Sequence, residues 1–321
     1  MGEKKQQVTR PLVSIGLPVY NGENYLSEAI ASIVNQSFTD FELLISDNAS
    51  TDKTAEICQY WAKKDARIQY IRNSKNLGAI PNFNHLVAKA RGKYFKWAAH
   101  DDKLTVDYLA KCVAILEKDA SIVLCCTQVQ IIDEFNQQII PYTHYFKDIS
   151  ASSTGKRFRA LIYHDLDCYE IFGLIRRGVL LKTQLFGSYV ASDRILRAEI
   201  GLYGQFHEIP ERLFLSRDHA HRSIRAMPAH HQRAAWFNPK NANRKILPHW
   251  RILREYIRCI QVTPLSLTEK IQCNRYILGW LFQHKNWAWL LLDFVLYFYP
   301  DAWQLFFRWR KKSWWKGVVK A

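Results

Sequence analysis

The stretch LVSIGLPVYNGENYLSEAIASIVNQSFTDFELLISDNAST, Leu12 to Thr51, switches from strand-like to helix-like spacing and back. Leu12–Tyr20 is a nearly continuous apolar run that ends in a Pro-Val-Tyr-Asn-Gly turn, the pattern of a strand buried on both faces. Leu26, Ile30, Ile33 and Val34 then fall on one helical face. FELLISD reads as a second strand stopping at Asp47, before a helix over STDKTAEICQYWAKK with Ser50 or Thr51 as its cap.

The alternation continues outward. RIQYIRN predicts a third strand, IPNFNHLVAKA a helix and KYFKWAA a fourth strand. Beyond lie a helix over TVDYLAKCVAILEK and a strand over SIVLCCTQV. The pattern becomes irregular through YTHYFKDISASSTGKRF and regains helical spacing in YVASDRILRAEIGLYG. Short strand–helix repeats of this kind build a mostly parallel sheet covered by helices on both faces. From PHWRILREYIRCI onward only helices are expected. The fold class is therefore α/β, Rossmann-like, with an α-helical C-terminal appendage.

Composition agrees with a folded protein whose two parts differ in charge. The chain has 321 residues, 48% hydrophobic and 23% charged, with a formal net charge of +16. Residues 1–200 hold 25 Lys and Arg against 22 Asp and Glu, whereas residues 201–321 hold 20 against 7. Nine of the 11 tryptophans lie at or after Trp236. The expected organisation is a disordered tail over 1–10, an α/β domain over 11–228 and a basic, Trp-rich helical region over 229–321. Seven cysteines without a C-x-x-C pair suggest reduced, mostly buried thiols of the cytosol. MGEKKQQVTR lacks the apolar core of a secretory signal and the Ser or Thr of a myristoylation signal.

In an open parallel sheet, ligands bind beyond the carboxyl ends of the strands. Four polar clusters fall there: PVYNG (18–22), SDNAST (46–51), NSKNLG (73–78) and HDD (100–102). None is a G-x-G-x-x-G or a P-loop. Asp, Asn, Ser and Tyr around one crevice suit a nucleotide's base and ribose. The adjacent Asp101 and Asp102 would be compatible around a shared hard cation; the plainer alternative is that they open a helix at Leu104 or Thr105.

The run VSIGLPVYNGENYLSEAIASIVNQSFTDFELLISDNASTDKT, followed by NLGAIPNFNHLVAKARGKYFKWAAHDD, resembles the inverting family 2 glycosyltransferases of GT-A fold, collinear from about Leu12 to Lys103 and more weakly to about Ser223. The resemblance implies a nucleotide-diphosphate sugar donor, often a uridine one, and a Mn²⁺ or Mg²⁺ ion on its diphosphate. It assigns the nucleotide to Pro18, Tyr20, Asn21, Asp47, Asn48, Ser50, Asn76, Leu77, Gly78 and Asp101. The metal falls to Asp101 and Asp102, adjacent here rather than spaced, so which one ligates directly stays open. Asp193 corresponds to the catalytic base, although Ser192 stands where Glu is commoner; Asp165 and Asp167 are weaker candidates. FLSRDHAHRS resembles a segment that folds over the diphosphate, with His219 as a further metal ligand and Arg217 and Arg222 bracing phosphates.

The run Trp287–Tyr299 is too short to span a bilayer and is followed by clustered Lys, Arg and Trp. It reads as an in-plane anchor on an anionic membrane surface, with a helical cap or homodimer interface as the alternative. Basic residues with interleaved aromatics also suit single-stranded nucleic acid, but no such module is recognisable and nucleic acid is not expected. The expectation is a transferase acting on a glycan or lipid-linked acceptor in bacterial surface polysaccharide synthesis, cytoplasmic and peripheral on the inner face of the cell membrane. A nucleotidyltransferase of similar fold and a non-catalytic nucleotide-binding adaptor are the other classes.

Overall fold

The computed structural model describes residues 10–142, 148–163, 167–220, 222, 236–241 and 247–299. The expected tail over 1–10 lies, except for Arg10, outside them, as do Asp165, His221 and the basic aromatic segment from Pro300 on. The chain divides into two compact units, Met1–Ala242 and Asn243–Ala321.

The first unit is built on strands β1 (Val13–Val19), β2 (Phe41–Asp47), β3 (Ile68–Arg72) and β4 (Tyr94–Trp97), paired in parallel in the order β3-β2-β1-β4. Every residue of β1, β2 and β4 is buried, as double-sided covering by helices requires. The helices between them are α1 (Leu26–Val34), α2 (Thr54–Lys64) and α3 (Ala79–Lys89). β1 lies between β2 and β4, so the chain order reverses at β1 and leaves a crevice at the ends of β1 and β4.

The remainder extends the sheet with β5 (Lys103–Leu104), β6 (Ile122–Ile132), β7 (Gln138–Tyr142), β8 (Leu174–Arg176) and β9 (Gln205–Arg217). The order continues β4-β8-β6-β9-β5, with β7 on β6; β5, β7 and β8 run against the others. Helices α4 (Tyr108–Lys118), α5 (Thr154–Tyr163), α6 (Arg177–Leu180) and α7 (Ser192–Tyr203) complete the unit.

Three details differ from the sequence reading. Thr154–Tyr163 is a helix that begins inside the stretch expected to be irregular. FHEIPERLFLSR, not read as regular structure, belongs to β9, whose pairing with β6 shifts register around Thr127–Val129. Five residues, the first two of them β5, separate Asp102 from α4, so the carboxylates do not open a helix.

The described residues of the second unit form α8 (Pro248–Val262), α9 (Leu267–Phe282) and α10 (Asn286–Phe298), helices only, as the sequence predicts. Tyr256, Cys259, Ile260, Cys273, Ile277, Trp280 and Leu290 form its small buried apolar set. No helix among the described residues is long and apolar enough to cross a membrane.

Candidate functional site

The turns after β1, β2 and β3 are tied together by their polar side chains. Asn21 has φ 51° and Ala49 φ 62°, left-handed conformations that L residues adopt only when neighbours hold them. The Asn21 amide donates to Ser50 Oγ at 3.0 Å, and Thr51 N donates to Asn21 Oδ1 at 2.9 Å. Ser50, expected to cap α2, thus serves the first turn. The N–H of Thr54 is taken by Asp52 at 3.0 Å. A Cβ on Gly22 would lie 2.7 Å from the His100 ring, so the first turn touches the HDD segment directly.

Asp47 is fully buried. Its oxygens accept from Ser50 N and from the Tyr70 hydroxyl, each at 2.8 Å, and Arg72 Nε is 3.8 Å away. Asn48 donates to Asn76 Oδ1 and Gly78 O and accepts from Leu77 N, while Gly78 N donates to Asn76 Oδ1 at 2.8 Å. Gly78, at φ 87°, leaves no room for a side chain beside Phe237 O. These residues come together as expected, but their side chains knit the turns. Pro18 is buried, whereas Tyr20, 44% exposed, and Asn21 present themselves outward.

Asp101 and Asp102 follow β4 and are both partly accessible. Asp102 Oδ1 accepts the Arg217 N–H at 2.9 Å, extending the β5–β9 pairing by a side chain. Asp101 Oδ2 is 2.9 Å from His219 Nε2. Arg217 is buried, and its five N–H groups reach Asp101 O, Asp133 O, Glu134 O, Glu28 Oε2 and Asn136 Oδ1. Its guanidinium also lies 4.6 Å from the Tyr25 ring centre, and the same ring packs 4.9 Å from His219. In this arrangement Arg217 braces the carboxylates and has no donor left for a phosphate.

The two carboxyls are driven apart electrostatically. Burial raises Asp101, but the hydrogen bond from His219 and the nearby His100 carry it below its ordinary range. Asp102 is pushed up to about 7, first by burial and then by the charge of Asp101. That is an incompletely compensated pair of anions. The buried Nδ1 of His219 has no hydrogen-bond partner among the described residues. Two carboxylates with an adjacent imidazole nitrogen fit a small divalent cation whose other ligands come from substrate phosphates and water. Among the described residues, no three acidic, His or Cys side chains are grouped closely enough to form a metal cage by themselves.

Asp193 stands in the first turn of α7, just after Ala191 at φ 66°. Its Oδ1 accepts the Arg194 N–H at 2.9 Å, and burial raises its carboxyl above the ordinary range. Among the described residues no hydrogen bond or ion pair joins it to the Asp101–Asp102 pair, but charges connect them. Arg222 donates to the Tyr169 hydroxyl at 2.9 Å and lies within electrostatic reach of both Asp102 and Asp167; Asp167 in turn acts on Asp193.

Sequence reasoning missed Glu28, Asn136 and Tyr25, which hold Arg217 from distant parts of the chain, and it missed Lys96. Lys96 is fully buried on β4, donates to Phe172 O and sits 4.6 Å from the Tyr108 ring centre. Burial lowers its amine to about 8. With Asp102 it lines a cavity of about 10 Å³, room for one water. A lysine inside the apolar KYFKWAA was the available signal.

Comparison with known proteins bears on the family and the fold. Residues 14–183, more than half of the chain, match the family model described as glycosyl transferase family 2. An uncharacterized glycosyltransferase of Haemophilus influenzae is 35% identical over 139 residues, 43% of each chain. Abequosyltransferase RfbV of Salmonella typhimurium is 43% identical over 117 residues, 36% of this chain and 35% of that one. The matches span about half or less of the length of such curated relatives. Among solved structures, S. aureus TarS 1–349 in complex with UDP has a TM-score of 0.61 at 17% identity, covering 85% of this chain and 71% of that one, a likeness of fold. With a collinear domain match and a sheet whose crevice holds the paired carboxylates, the chain belongs to glycosyl transferase family 2 and has the GT-A architecture.

Proposed function

We propose that this protein is an inverting glycosyltransferase that moves a sugar from a nucleotide-diphosphate donor, a uridine one first, to a hydroxyl of a glycan or lipid-linked acceptor. The observation that carries the proposal is the Asp101–Asp102 pair, held by Arg217 and His219, with Asp102 raised by burial and by the charge of Asp101. Family membership supports glycosyl transfer, and the abequosyltransferase name of one relative supports a role in bacterial surface polysaccharide synthesis.

Tyr20, Asn21 and Asn76 are the exposed groups on the nucleotide edge, and the buried Asp47, Asn48, Ser50 and Gly78 hold that edge rigid. Asp101 and Asp102, with His219 beside them, would hold a Mn²⁺ or Mg²⁺ ion. When bound, such an ion offsets the charge of a leaving diphosphate. Arg222, held on the Tyr169 hydroxyl within electrostatic reach of Asp102, is the cation placed to meet the phosphates. Asp193 takes the proton of the acceptor hydroxyl; the oxygen then forms its bond to the anomeric carbon opposite the breaking sugar–phosphate bond, inverting that carbon. Burial raises that carboxyl above its ordinary range, which makes it a stronger base for the transfer.

The test incubates the protein with nucleotide-diphosphate sugars and glycan acceptors and identifies the small product and the new anomeric configuration by nuclear magnetic resonance. Release of nucleoside diphosphate with an inverted linkage is expected, and both are lost in Asp193→Ala while donor binding persists. Release of pyrophosphate, or near-normal turnover of Asp193→Ala, contradicts the proposal.

A further inference from the structure

The second unit distributes its side chains against the usual rule for a water-soluble helical bundle. On α9, Leu267, Ile271, Leu278 and Phe282 share one face and are 54–76% exposed. On α10, Trp287, Leu291, Val295 and Phe298 do the same at 48–66%. Apolar faces this continuous need a partner.

The acids of the described second-unit helices are engaged elsewhere. Glu255 is buried against Arg251 and Arg258 at 2.9 and 2.7 Å. Asp293 is buried and accepts from the His249 amide at 2.7 Å. Glu269 closes the capping box of α9 with Ser266. By contrast Arg275, on the exposed α9 face between Ile271 and Leu278, and Lys285, beside Trp287, are exposed and have no ion-pair partner among the described residues. Residues 243–321 carry 14 Lys and Arg against 4 Asp and Glu, and the sequence after Tyr299 adds six of those cations and four tryptophans.

We infer that the exposed faces of α9 and α10 bind an anionic lipid surface, lying in its plane. A bilayer interface offers apolar depth for the leucines and phenylalanines and negative headgroups for Arg275 and Lys285 in one partner. A second copy of the chain would instead bring together two segments of net +10, each with only 4 acids against 14 cations. The inference is independent of the transfer chemistry proposed above.

The experiment is co-sedimentation of the full chain with phosphatidylcholine vesicles made with and without phosphatidylglycerol. Binding is expected only with the anionic lipid and falls as salt is raised. Charge reversal in Arg275→Glu/Lys285→Glu lowers it at least about tenfold, and Leu278→Ser/Phe282→Ser weakens it too. All four positions are exposed, so the variants keep their folded circular dichroism and their donor affinity. Equal binding to neutral vesicles, or undiminished binding by both variants, overturns the inference. So does self-association removed by the same substitutions without vesicle binding, or capture of a single-stranded oligonucleotide in place of vesicles.

Discussion

The two units solve opposite problems with the same residue types. In the first, Arg217 is buried and every one of its donors has an acceptor, because a charge removed from water must be answered inside. In the second, Arg275 is exposed among bare apolar side chains while Glu255 and Asp293 are turned inward. An arginine therefore says little by its identity; its surroundings decide whether it holds a site or meets a partner.

The sharpest break between the units should appear in activity. Asp193→Ala is expected to lower kcat by about a thousandfold, near 4 kcal/mol, through loss of the base. The α9 variant Leu278→Ser should leave turnover on a soluble acceptor within about twofold, since an exposed substitution far in sequence from the site removes nothing the chemistry uses. Steady-state kinetics on both variants checks this; comparable losses would erase the distinction.

Stability should follow the same division. Arg217→Met strands Glu28 and the carbonyls of Asp101, Asp133 and Glu134, so a loss of about 3–5 kcal/mol is expected. Arg275→Met should stay within about 0.5 kcal/mol. Urea denaturation of the two variants beside wild type makes the comparison.

A smaller effect is a dependence on pH. The folded value of Asp102, about 7, lies above its ordinary 3.8, so the folded chain keeps a proton that the unfolded chain has lost. Stability from that proton is fully present below about pH 4 and falls as pH rises to about 7, by at most about 4 kcal/mol. Wild type without divalent cations should therefore lose more stability over that interval than Asp102→Asn, and Mn²⁺ should restore much of the loss at the upper end. Parallel stability curves for the two proteins would remove the strained carboxylate pair from the account.

The order of strands through Trp97 was legible because each is a short apolar run buried on both faces and ended by turn residues. β9 was not, because FHEIPERLFLSR mixes charges into a strand whose register on β6 slips, and neither period survives such a shift. The site followed the same logic. Asp101, Asp102 and Asp47 could be found from their position at strand ends. Their supports could not: Glu28 reads as an ordinary surface residue of α1, and Asn136 as part of a turn, until β9 brings Arg217 between them. A left-handed Ala49 is equally silent in sequence, since alanine has no preference for that conformation.

The central claim is that the paired carboxylates form the donor's cation site. Calorimetric titration of uridine, guanosine and thymidine diphosphates, with and without Mn²⁺, on wild type and Asp102→Asn tests it most directly. The account predicts Mn²⁺-dependent binding of one nucleotide, reduced by at least about a hundredfold in Asp102→Asn. Binding that ignores Mn²⁺, or equal affinity in a folded Asp102→Asn, would contradict it.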